Sequence, residues 1–126
     1  MTALTPAAVN ARILIVDGHP SFRAVAVLAL ERDGFIVVGA VADGESAVIE
    51  TLRRQPDIVL LDVELPDMTG FEVASRLRDA APAAVILLAS SRERSYFGPL
   101  IADSGANGFI QKELLSGETI RTEIAA

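Results

Sequence analysis

Ile58-Val59-Leu60-Leu61-Asp62-Val63-Glu64-Leu65-Pro66-Asp67-Met68-Thr69-Gly70 is the stretch on which the fold turns. Four apolar residues run straight into a carboxylate, and Pro66 and Gly70 then break the run before helical spacing begins. A short apolar run bounded by turn residues suits a strand buried on both faces, as in a parallel sheet. Asp62 then sits at the carboxyl end of that strand, where open α/β sheets place their ligand sites. Taken alone, Asp62 has a plainer reading, in which it ends the strand and caps the following turn.

Working outward, the same pattern recurs. Ile13-Leu14-Ile15-Val16 ends on Asp17, and Gly18-His19-Pro20 breaks it. Ser21 is expected to cap a helix whose apolar face is Phe22, Val25, Leu28 and Ala29, stopped by Gly34. Phe35 to Val41 reads as the second strand. Asp43-Gly44 marks a turn and cap, followed by a helix with Ala47, Val48, Thr51 and Leu52 inward. After Gly70, Phe71, Ala74 and Leu77 face inward on a third helix ending near Asp79. Ala84 to Ala89 is the fourth strand, ending on Ser90-Ser91. Arg92 to Ser95 is loop-like, and Gly98-Pro99 leaves room only for a short fourth helix through Leu100, Ile101 and Ser104, closed by Gly105. Phe109-Ile110 lies in the fifth strand, leading into Gln111-Lys112. Leu115, Thr119, Ile120 and Ile124 mark a last helix, and residues 1–11 form a loose lead-in. Five strands alternating with five helices imply an α/β fold, a parallel sheet with right-handed crossovers and helices on both faces.

The 126 residues fit one domain, and 51% hydrophobic content is ample for a core. A net charge of −6 disfavours nucleic acid binding by this chain. With no Cys and one His, disulfides, thiolate metal sites and poly-His sites are excluded. No apolar run reaches membrane-spanning length and no signal peptide is visible, so a cytoplasmic protein is expected.

In a parallel sheet the ends of strands one, three, four and five share one edge, and they carry Asp17, Asp62, Ser90 and Lys112. Each has a plain explanation alone: Asp17 as a helix cap, Ser90 as a small polar strand end, Lys112 as a solvated lysine. Together they suit Mg²⁺, a hard ion that takes oxygen ligands. They also suit a carboxylate nucleophile toward phosphorus, with an ammonium and a hydroxyl for the phosphoryl oxygens.

These residues resemble the receiver domain of bacterial two-component response regulators. The likeness runs from about Arg12 to Ile124. It is carried by Ile15-Val16-Asp17-Gly18-His19-Pro20, Leu60-Leu61-Asp62-Val63-Glu64-Leu65-Pro66 with Gly70, Leu88-Ala89-Ser90-Ser91, and Gly105-Ala106-Asn107-Gly108-Phe109 through Lys112. The resemblance implies a single doubly wound, flavodoxin-like receiver domain over 1–126 with strand order 2-1-3-4-5. It implies a phosphoacceptor switch, not an enzyme beyond self-catalysed phosphotransfer and autodephosphorylation. Asp62 would accept a phosphoryl group from a sensor histidine kinase, a phosphotransfer protein or a small phosphodonor. Asp17, Asp62 and the backbone carbonyl of Glu64 would hold Mg²⁺. Ser90 would swing toward the phosphoryl group and Phe109 would rotate inward, coupling the site to the face of helix four, strand five and helix five. That face would meet a downstream protein or output domain absent from this chain, and is the family's habitual homodimer surface.

The chain departs from the family pattern at three places. Gly18 replaces the second acid after strand one, which predicts weakened Mg²⁺ binding. Glu113 replaces the Pro that follows the lysine, so a cis peptide is not expected there. Gly98-Pro99 shortens or shifts helix four. Gly18 also supports a second reading, a pseudo-receiver that works as an interaction module with little or no phosphorylation. A third, a flavodoxin-like enzyme or nucleotide binder, lacks the glycine-rich phosphate loop it would need after strand one.

Overall fold

A computed structural model describes residues 10–125. Its elements run β1 (Arg12–Val16), α1 (Pro20–Arg32), β2 (Ile36–Val41), α2 (Gly44–Arg54), β3 (Ile58–Asp62), α3 (Gly70–Ala80), β4 (Val85–Ser90), α4 (Leu100–Asp103), β5 (Gly108–Gln111) and α5 (Gly117–Ala125). Short 3₁₀ turns at Arg94–Phe97 and Lys112–Leu114 precede α4 and α5. All pairs in the sheet are parallel and the order is β2-β1-β3-β4-β5. The expected α/β architecture and strand order are therefore those of the molecule.

The two-sided burial of the strands follows from their period of two. Leu14, Val16, Val59, Leu61, Ile86 and Leu88 face one side, against Ala47 of α2 and Val73, Ala74 and Leu77 of α3. Ile13, Ile15, Ile58, Leu60 and Leu87 face the other, against Ala26 and Leu30 of α1 and Ile120 of α5. With both faces covered, all five residues of β3 are buried, Asp62 included.

Side chains that mark the helix ends also fix the loops around the sheet's carboxyl edge. Asp43 accepts the Ser46 N–H at 2.8 Å and Thr69 Oγ1 accepts the Glu72 N–H at 3.2 Å, capping α2 and α3. α1 closes with Gly34 at φ 98°: its N–H donates to Glu31 O while Phe35 N–H reaches back to Leu30 O. Gly98, at φ 56°, and Pro99 hold α4 to four residues, as their sequence predicted.

Several local expectations are corrected. The buried face of α1 is Ala26 and Leu30, with Phe22 and Val27 partly packed; Val25 and Leu28 are 62% and 71% exposed. Ser21 does not cap α1, because the helix already starts at Pro20, with His19 at the cap position and no side-chain capping bond. On α2, Leu52 is half exposed. On α3, Val73 joins Ala74 and Leu77 in the core while Phe71 is only half-buried. Of the expected loose lead-in, residues 1–9 lie outside the described residues. Asn10 and Ala11 are tied down: Asn10 N–H donates to Gly34 O, and the buried Ala11 accepts the Ile36 N–H. No helix among the described residues is long and apolar enough to cross a membrane.

Candidate functional site

Asp17 follows β1 and Asp62 ends β3, so neighbouring parallel strands deliver both carboxylates to one edge. They are held alike. Asp17 Oδ1 accepts the His19 N–H at 2.8 Å, and Asp62 Oδ1 accepts the Glu64 N–H at 3.1 Å. Each carboxylate thus spends one oxygen on the turn two residues downstream, a pairing typical of Asp at chain reversals. Each leaves Oδ2 buried and without a partner of hydrogen-bonding geometry. Asp17 therefore does not cap α1. Asp62 does fix its own turn, but only with one oxygen.

Both orphan oxygens face Lys112, which leaves β5 in the 3₁₀ turn. Lys112 Nζ lies 2.6 Å from Asp17 Oδ2 and 3.3 Å from Asp62 Oδ2, with the side chain only 10% exposed. Both contacts are ion pairs, the one to Asp17 the closer. The ammonium lies over the Phe22 ring, Nζ 4.8 Å from the centroid. The solvated-lysine reading of Lys112 does not describe this residue.

The two carboxylates feel different fields. Burial pushes Asp17 up, but the Lys112 ammonium and the two donors of His19 outweigh it and hold it below the ordinary carboxylate range. Asp62 is raised, first by burial and then by the Asp17 charge; Lys112 and the Glu64 N–H offset only part of this.

His19 also belongs to the site. Its Nδ1 is 2.8 Å from Asp17 Oδ1 and 3.7 Å from Asp62 Oδ2, and the three potential ligand atoms lie within 4.8 Å of one another. Ser90 ends β4, and its hydroxyl is engaged locally. Its Oγ accepts the Arg92 N–H at 3.1 Å. Phe109 is buried, its ring centroid 5.7 Å from that of Phe97. Glu64 directs its side chain to solvent and pairs with Thr69 in a short antiparallel bridge. Gly70 has no room for a Cβ, which would fall 2.2 Å from the carbonyl oxygen of Asp62. The tight turn behind the carboxylate therefore requires glycine.

Sequence reasoning missed two contacts: Phe22 under Lys112, and Arg23 Nη1 donating to Asp17 O at 2.7 Å. Both sit on the first turns of α1, where helical phase relative to Asp17 carries the signal. No spacing rule connects Phe22 to Lys112, which are far apart in the chain.

The profile of the response regulator receiver domain family matches residues 13–125. This chain belongs to that family. The receiver is 34% identical over 102 residues to the DNA-binding transcriptional activator EvgA of Escherichia coli, covering 79% of this chain and 49% of EvgA. It spans about half the length of the curated relatives it matches. Among solved structures, it is similar to a LuxR-family two-component response regulator from Aurantimonas: TM-score 0.79, 32% identity, covering 92% of this receiver and 84% of that chain. It is also similar to the chemotaxis response regulator CheY4 of Vibrio cholerae: TM-score 0.78, 25% identity, covering 92% and 97%.

Proposed function

We propose that Asp62 accepts a phosphoryl group from a phosphohistidine on a sensor histidine kinase or phosphotransfer protein, and that the added charge switches a protein-interaction surface. The observation that carries this reading is the state of Asp62 Oδ2: buried, unpartnered and 3.3 Å from the Lys112 ammonium. In the transfer, an Asp62 oxygen attacks phosphorus as the P–N bond to the donor imidazole breaks, and the imidazole departs with the bonding pair. Lys112 is placed to neutralise the phosphoryl oxygens. Ser90 would exchange its bond to the Arg92 N–H for one to the phosphoryl group.

The donor set fits a divalent ion, because two buried carboxylate oxygens without hydrogen-bond partners both face the point where the Lys112 ammonium stands, and ligand atoms of the two aspartates lie within 4.8 Å of each other. Asp17, Asp62 and the Glu64 carbonyl are the residues that would hold Mg²⁺. When bound, the ion supplies positive charge that the phosphoryl oxygens develop against. With Gly18 in place of a second acid, only two carboxylates offset its dehydration, and weak Mg²⁺ binding is expected.

Phe109 and the neighbouring face of α4, β5 and α5 form the output surface in this reading, the place of any homodimer. A downstream protein or output domain of transcriptional kind is read from the likeness to EvgA. A cytoplasmic location agrees with this role.

Gly18 favours one other reading, a receiver that takes up little phosphate and works as an interaction module. Incubation with Mg²⁺ and acetyl phosphate, followed by intact mass, separates the two. Wild type is expected to gain one phosphoryl group and Asp62→Asn none. An unmodified wild type would leave the interaction module as the function.

A further inference from the structure

We propose that Asp17, His19 and Asp62 form a mixed nitrogen–oxygen site that takes Zn²⁺ in strong preference to Mg²⁺, with His19 Nδ1 supplying the ligand lost at position 18. The inference rests on the reading that the two aspartates hold a divalent ion; it does not require phosphoryl transfer.

Three observations support it. First, Asp17 and Asp62 are 1% and 3% exposed, and each turns an Oδ2 without a hydrogen-bond partner toward one point, where the Lys112 ammonium now supplies the positive charge at 2.6 and 3.3 Å. Second, ligands bound to zinc at about 2.0–2.2 Å, with angles between square and tetrahedral, stand about 2.8–3.6 Å apart. His19 Nδ1 stands 2.8 Å from Asp17 Oδ1 and 3.7 Å from Asp62 Oδ2. Those two distances lie at the ends of the ligand range, and the imidazole that now hydrogen-bonds Asp17 can exchange that proton for a cation by a small turn of the exposed ring. Third, Gly18 is not there for its backbone. Its φ is not positive, and a Cβ would meet Pro66 Cδ at 3.4 Å and Ala42 O at 3.7 Å, which are ordinary contacts. Position 18 has room for an acid and lacks one, while the adjacent side chain brings nitrogen.

Removing a carboxylate and adding an imidazole changes which ion the site favours. Mg²⁺ prefers oxygen and gives up its waters reluctantly. Zn²⁺ binds N/O sites more tightly and suits imidazole. His19 is 67% exposed, so it can turn without disturbing the core, and Lys112 supplies the compensating charge that an entering ion would displace.

The chain has one His and no Cys, so any imidazole–zinc signal is His19. The test titrates the full chain with Zn²⁺ and separately with Mg²⁺ by calorimetry, and follows the His19 nitrogens by long-range ¹H–¹⁵N NMR. Loss of a mere outer-shell partner costs about 10- to 100-fold in metal affinity. His19→Ala and His19→Gln are therefore each expected to weaken Zn²⁺ by about tenfold or more while leaving Mg²⁺ nearly unchanged. The zinc-induced shift is expected at Nδ1. Gly18→Asp is expected to tighten Mg²⁺ and narrow the difference between the two ions. Zinc affinity indifferent to both His19 variants, or a shift at Nε2 alone, would overturn the proposal. A beryllofluoride titration in Mg²⁺ on the same samples keeps the two questions apart. A response there, with no Nδ1 coordination, rejects the zinc site and leaves the phosphoacceptor; coordination without a response does the reverse.

Discussion

Asp17 and Asp62 share one ammonium, yet their positions shift their acidities in opposite directions, and this makes a prediction about stability. Asp62 is raised by burial and by the Asp17 charge, so the fold favours its protonated form. That contribution is complete below the ordinary carboxylate range, near pH 3.9, and disappears as pH rises through the raised value. At neutral pH the ionised Asp62 is a net cost. Asp62→Asn should therefore raise the melting temperature at pH 7, with the gain shrinking toward pH 3–4 (on the order of the free carboxylate's range). Asp17, held low by Lys112 and His19 against its burial, should behave oppositely. Its stabilisation is present above the ordinary range and is lost as pH falls through the depressed value, so Asp17→Asn should lower the melting temperature at pH 7. Thermal melts of both variants across pH check the signs; two destabilised variants would mean that the environment of Asp62 has been misjudged. Such a balance, with one carboxylate kept charged and the other under strain, suits an acidic side chain waiting for a phosphoryl group.

At the scale of elements, α1 shows how far a helical pattern can mislead. Its apolar residues are spread around most of the helix, since Ala, Val and Leu occupy nearly every turn. Periodicity alone therefore does not select the face, and Phe22, Val25, Leu28 and Ala29 looked as good as Ala26 and Leu30. The position of Pro20 and the packing of β1 and β2 decide it. Leu30→Ala is expected to cost about 2–5 kcal/mol in urea unfolding, because Leu30 is fully buried. Leu28→Ser should change stability by only about 0.5 kcal/mol or less. Equal costs at the two positions would refute the observed phase of the helix. α2 was easier to read, because charged residues alternate with the apolar ones and Asp43 announces its start.

Across the whole molecule, the sheet's outer strand β5 is secured by side chains from distant parts of the chain. Glu123 of α5 accepts the Phe109 N–H at 2.9 Å, and Arg94 both pairs with Glu123 and donates to Phe109 O at 3.4 Å. The outward backbone groups of Phe109 are thereby satisfied at an edge that has no further strand to pair with. Glu123→Ala leaves that buried N–H without a partner, at an expected cost of about 1–3 kcal/mol. Amide exchange should accelerate at Phe109 while β1 and β3, with neighbours on both sides, stay protected. Uniform acceleration over all five strands would show that the tie is not local. None of this was legible beforehand, because Arg94, Phe109 and Glu123 carry no common motif. What the sequence determined by itself is the alternation of buried runs and turns, the parallel sheet, and the carboxylates and lysine at its carboxyl edge, because hydrophobic period and strand ends are local properties. Only the tertiary structure decided that Lys112 is buried between Asp17 and Asp62, that His19 joins them while Ser90 Oγ accepts the Arg92 N–H, and which side of α1 meets the sheet. Those outcomes depend on distances between segments remote in the chain, and such distances are set by packing.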